Sequence, residues 1–88
     1  MYHITEYSYQ KAKQIGLEIF PSKRKNKKID AFRNGKYIAS IGDNRYLDYP
    51  TFLAREGQEI ADKHRKLYHA RHRNDTGITG KLALAILW

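Results

Sequence analysis

The chain has 88 residues, 17 of them Lys or Arg against nine Asp or Glu, and its net charge of +8 favours nucleic acid or an acidic surface over a neutral partner. Hydrophobic residues at 41% and aromatics at 12% are too many for a disordered tail, and the lack of cysteine excludes disulfides and thiolate metal sites. The longest apolar run, over 82–88, falls far short of the roughly 20 residues a membrane span needs, and the mixed polar and aromatic start is not that of a signal peptide.

Taken in chain order, Tyr2 and Ile4 suggest a short strand over 1–6. Ser8 then has the chemistry of an N-cap, its hydroxyl able to accept from an unpaired amide, for a short helix over 9–15. Gly16 follows where a left-handed residue closes a helix. Residues 17–20 read as a strand that Pro21 ends. Two further strands, 29–33 and 36–41, flank Asn34-Gly35, the strongest short hairpin signal, because a type I′ turn needs positive φ at both central residues. On the second of them Tyr37, Ala39 and Ile41 are expected to share one face.

From Pro50 the spacing turns helical. Leu53, Gly57, Ile60, Ala61, His64, Leu67, Tyr68 and Arg71 make one stripe, with Gly57 a candidate break between two helices. Asn74-Asp75-Thr76-Gly77 reads as a turn, and a last short helix starts near Thr79. These elements predict a single domain over 1–88 of the α+β class. A small antiparallel sheet of about three strands carries a long basic helix on one face, with short helices at either end.

Ten of the 17 cations fall in two blocks. Lys23, Arg24, Lys25, Lys27 and Lys28 lie in the loop before the hairpin, and Lys63, Arg65, Lys66, Arg71 and Arg73 lie on the long helix. Lysines are compact point charges suited to phosphate contact, and with Arg24 the lone guanidinium of its block, base reading from that loop is not expected. The plainer readings are a solvated turn held open by repulsion and an amphipathic helix whose outer face happens to be basic. His64, His69 and His72 interleave with the second block, but no nearby acid completes a ligand set, so neither metal nor cofactor is expected. His72, Asn74 and Asp75 are the raw material of a nuclease with no motif to order them, so the chain is read as non-enzymatic. Phe32, Tyr37, Tyr46, Tyr49 and Phe52 are either stacking platforms for bases or core, and core is the commoner use of such rings. Leu84, Leu87 and Trp88 form an anchor that either folds back on the sheet or docks on another chain.

Several stretches share an order. Ile19-Phe20-Pro21-Ser22-Lys23 leads into the basic run, then come Ile29-Asp30-Ala31-Phe32, Gly35-Lys36 and Ile38-Ala39-Ser40-Ile41-Gly42. Tyr46-Leu47-Asp48-Tyr49-Pro50-Thr51, Ala61-Asp62-Lys63, Tyr68-His69-Ala70-Arg71-His72 and Ile86-Leu87-Trp88 complete it. In this order the chain resembles an uncharacterised family of short basic proteins encoded by large DNA viruses and by phages. The resemblance implies a viral or phage origin and association with virions, with residence in the host cytoplasm during assembly. The expected function is a minor capsid or cement protein, present in several copies, that contacts packaged nucleic acid or acidic shell proteins. The alternative is a sequence-independent nucleic-acid-binding protein acting in the infected cell.

Overall fold

The computed structural model describes residues 2–74 and 77–88. In order they form α1 (Glu6–Gln14), β1 (Glu18–Pro21), β2 (Lys27–Arg33), β3 (Lys36–Asp43), α2 (Tyr49–Glu56), α3 (Gln58–His72) and α4 (Ile78–Leu87). Asp75 and Thr76 of the expected turn lie outside the described residues.

The three strands make one antiparallel sheet in the order β1-β2-β3, so the expected α+β architecture stands. Asn34 and Gly35 have φ of 51° and 78°, the paired left-handed conformation that a type I′ hairpin requires. Pro21 is the last residue of β1, tolerated because β1 is an edge strand. Ile29 opposes Ile41, and both side chains are out of solvent. Each such burial stabilises the fold by about 1.5–3 kcal/mol before entropy is counted.

One expectation about the sheet is overturned. Ala31 pairs with Ala39, yet Phe32 pairs with Tyr37, so β3 carries one extra residue, Ile38, at a bulge. The extra residue moves Tyr37 to the face opposite Ala39 and Ile41, beside Phe32.

The N-terminal segment also departs from expectation. Residues 2–5 form no strand, and α1 begins at Glu6 with Thr5 as its cap, the Thr5 hydroxyl accepting from the Ser8 amide at 3.4 Å. Ser8 is instead fully buried, and its hydroxyl donates to the Ile86 carbonyl at 3.0 Å. A group engaged that far along the chain leaves no local trace of its role.

The stripe from Pro50 is two helices, with Gly57 at φ 89° between them. Asp48 caps α2 through the Thr51 amide at 3.0 Å. The long basic helix is not the sheet's main helical neighbour: α4 packs on β3 and α1, while α3 packs chiefly on α2. Composition explains the exchange. Helix α4 buries Leu82, Ala83, Ile86 and Leu87, whereas α3 buries only Ala61. The tail is therefore the sheet's apolar cover, and Gly42 marks how closely it approaches. A Cβ at Gly42 would meet Leu87 Cδ1 at 2.7 Å and Lys28 Cδ at 3.0 Å, and its φ of 77° already favours glycine.

Candidate functional site

The first basic block, expected as a loop, spans the β1–β2 loop and the first two residues of β2, Lys27 and Lys28, and it is built rather than splayed. The Arg24 amide donates to Ser22 Oγ at 3.0 Å, the Lys27 amide to the Arg24 carbonyl at 3.2 Å, and Asn26 turns the chain at φ 65°. Lys23, Arg24 and Lys25 project into solvent and Lys27 is half-buried. Arg24 Nη1 donates to Tyr37 Oη at 3.1 Å, which fixes its guanidinium beside the outer face of the sheet.

Lys28 does not belong to this surface. Its Nζ meets Asp48 Oδ2 at 2.8 Å, with the two side chains 5% and 0% exposed. The same carboxylate accepts from Tyr2 Oη at 2.6 Å, from the Thr51 amide at 3.0 Å and from the Thr51 hydroxyl at 2.6 Å. Burial pushes the Asp48 carboxyl up, but hydrogen bonds from Lys28, Thr51 and Tyr2 outweigh it and hold the group below the usual carboxylate range. Burial first, and then the neighbouring carboxylate, push the Tyr2 hydroxyl well above its ordinary value. Lys28 is a structural cation, and the sequence offered no sign of it because its partner lies 20 residues away.

The second block divides in the same way. Lys63, Lys66, Arg71 and Arg73 are exposed along α3. Arg65 is half-buried, its guanidinium 3.5 Å from the Tyr49 ring centroid and its Nη2 donating to Tyr7 Oη at 2.9 Å. Tyr49 in turn donates to Asp62 Oδ1 at 2.8 Å, and that bond raises the Tyr49 hydroxyl above its ordinary value. Arg65 thus clamps α3 to α1 and α2 by stacking and hydrogen bonding, the geometry in which guanidinium outperforms ammonium.

Of the two roles expected for the anchor of Leu84, Leu87 and Trp88, the chain shows folding back rather than docking on a partner: Leu87 and Trp88 are buried in its own core, and Leu84 is half-buried against it. Trp88 lies on Tyr68 with centroids 4.2 Å apart and planes 9° from parallel, and stands 6.2 Å from Phe52. The α3 histidines join this column. His64 stacks on Phe52 at 3.9 Å, His72 on Tyr68 at 4.2 Å, and His69 Nε2 lies 3.4 Å from the Trp88 carbonyl oxygen. Among the described residues, no three His, Asp or Glu side chains converge as metal ligands.

Segment 42–47 runs beside the first basic element and borders a groove that the second also lines. On one side the Asn44 amide donates to the Asn26 carbonyl of the loop at 3.1 Å. On the other, Asp43 and Tyr46 share an open groove of about 650 Å³ with Leu67 and Arg71 of α3. Arg45 is neutralised locally. Its side chain and its amide bond Asp43, and these bonds hold the Asp43 carboxyl down at about 2.

Of the aromatics considered as stacking platforms, Tyr49 is core and Phe52 is taken up in the column. Phe32 and Tyr37 lie on the outer face of the sheet with Phe20, which sequence reasoning missed. The signal was present in β1, where Ile19 and Phe20 must face opposite ways.

No helix among the described residues is long and apolar enough to cross a membrane. Compared with family models, with curated proteins and with solved structures, the chain matches none.

Proposed function

We propose that this chain is a small, non-enzymatic, virion-associated structural protein of the minor capsid or cement kind that contacts packaged nucleic acid without reading its sequence. One observation carries the contact: Lys23, Arg24, Lys25, Lys27, Lys63, Lys66, Arg71 and Arg73 form no ion pair with any described acid. They lie on two ordered elements, the β1–β2 loop with the start of β2 and the α3 region. Unpaired lysines and arginines on ordered elements are suited to phosphates, whose neutralisation releases counterions and supplies sequence-independent affinity. The virion setting rests on the motif order described above. The non-enzymatic reading rests on the sequence, in which no motif orders His72, Asn74 and Asp75.

Salt titration of binding to a random-sequence oligonucleotide tests the contact. With about five phosphates neutralised, log K should fall against log[salt] with a slope of about −4 to −5, and a slope near zero overturns the proposal. Particles purified from the host test the setting. Copies in register with the shell lattice support a structural role, and their absence leaves a nucleic-acid-binding protein of the infected cell.

A further inference from the structure

The outer face of the sheet carries three rings in a row. Phe20 and Phe32 have centroids 5.5 Å apart at 80°, and Phe32 and Tyr37 are 5.7 Å apart at 75°. The two end rings are the exposed ones, Phe20 at 52% and Tyr37 at 46%. Rings of that size left half in water on one face of a small sheet form an apolar surface suited to a partner. Their setting is fixed in advance. Tyr37 Oη lies 2.7 Å from Ser40 Oγ, Ser40 donates to Asp30 Oδ1 at 2.6 Å, and Arg24 donates to Tyr37 Oη.

Cations stand beside the rings on the β1–β2 loop, where Lys23, Arg24 and Lys25 are exposed and Arg24 reaches Tyr37. The acids on the same face are already engaged, Asp30 with Ser40 and Glu18 with the Gly35 amide at 3.3 Å. Cations beside an exposed aromatic row complement a strand that carries phosphates on one side and unpaired base faces on the other. A duplex offers the phosphates but keeps its base faces stacked inside, so the rings would gain nothing from it.

We infer that the Phe20–Phe32–Tyr37 row is a stacking platform for single-stranded nucleic acid, its phosphates held by Arg24 and the neighbouring loop lysines. The inference rests on the nucleic-acid contact proposed above and gives that contact a preferred substrate class. Arg24 is the residue that couples the loop to the platform.

Fluorescence anisotropy with a labelled oligothymidylate of about 15 nucleotides and a duplex of the same length tests it. The wild-type chain should bind the single strand about tenfold or more tightly than the duplex. Phe20→Leu with Tyr37→Leu should weaken single-strand binding by about tenfold or more while duplex binding stays within about twofold, because each stacked base contributes a comparable factor. Tyr37→Phe, which keeps the ring, should retain the single-strand preference, and Phe20→Leu alone gives the same reading should the double variant fold poorly. Loss of affinity equally on both probes, or no loss on either, overturns the platform and leaves the phosphate contact in place. A chain that binds neither probe with any salt dependence defeats the contact itself. Ring-dependent self-association in sedimentation, without a single-strand preference, overturns the platform in favour of a second copy of the chain.

Discussion

Lys28 of β2 and Asp48 at the cap of α2 meet at 2.8 Å in a site closed to solvent, and Tyr2 bonds the same carboxylate from the N-terminal segment. One acid thus fastens three separate pieces of chain. Removing one partner of a buried pair leaves the other charge without compensation, which is far worse than never having built the pair.

Asp48→Ala should therefore destabilise the fold by about 3–5 kcal/mol, measured by urea or thermal melting, since it strands the Lys28 ammonium and uncaps α2. Substituting Lys28 should leave the salt slope of nucleic-acid binding unchanged, whereas Lys25→Gln should reduce it by about 1 with little effect on stability. A Lys28 substitution that lowered the slope would return that residue to the binding surface.

Acid should unfold the chain partly through Asp48. Its carboxyl is held below the usual range in the fold, so between the folded value and the unfolded value of about 3.9 the unfolded state binds more protons. The stability it contributes is present above about pH 4 and is lost as pH falls through the folded value. Asp48→Asn should start less stable at neutral pH and show a shallower decline below about pH 4. Parallel declines in the two proteins would count against this assignment.

Gly42→Ala and Gly57→Ala separate two kinds of strain. Both glycines have positive φ, at 77° and 89°, but a Cβ meets Leu87 at 2.7 Å in the first case and nothing within 4 Å in the second. The first substitution should cost about 2–5 kcal/mol by chemical denaturation, combining backbone strain with overpacking, and the second about 1–2 kcal/mol from strain alone. Equal costs would mean that α4 gives way easily.

Trp88→Ala should cost about 3–5 kcal/mol, a large share of the roughly 5–10 kcal/mol available to a fold this small. Deleting 82–88 should leave the chain unfolded by circular dichroism. A folded truncated chain would mean that the sheet finds another cover.

Arg65→Ala and Arg71→Ala should differ in kind. The first removes the clamp on Tyr49 and Tyr7 and should lower the melting temperature. The second removes an exposed cation and should lower the salt slope by about 1 at unchanged stability.

What could be read in advance was whatever a few neighbouring residues decide. Asn34-Gly35 dictates its own turn, and Gly57 its own break, because the conformation is a property of the residue type. What escaped depends on pieces distant in sequence. Ser8 looks like a cap until Ile86 takes its hydroxyl, and Lys28 looks like a surface lysine until Asp48 arrives. Tyr37 seemed to share a face with Ala39 because the extra residue at Ile38 shows only once β2 lies beside β3. The basic surface was legible in its composition but not in its membership, since burial decides which cations remain available. The choice between α3 and α4 as the sheet's cover turned on how much apolar surface each could bury, which a periodic stripe does not measure.

The bond between Ser8 and Ile86 spans 78 positions and joins the first helix to the last. The Asn34-Gly35 hairpin can close within microseconds of being made, but α1 gains this partner only once the residues of α4 exist. During synthesis the sheet's apolar face stands open until α4 has been made. A ribosome stalled before residue 82 would hold a chain with a formed hairpin and an uncovered core, the kind of species that chaperones bind.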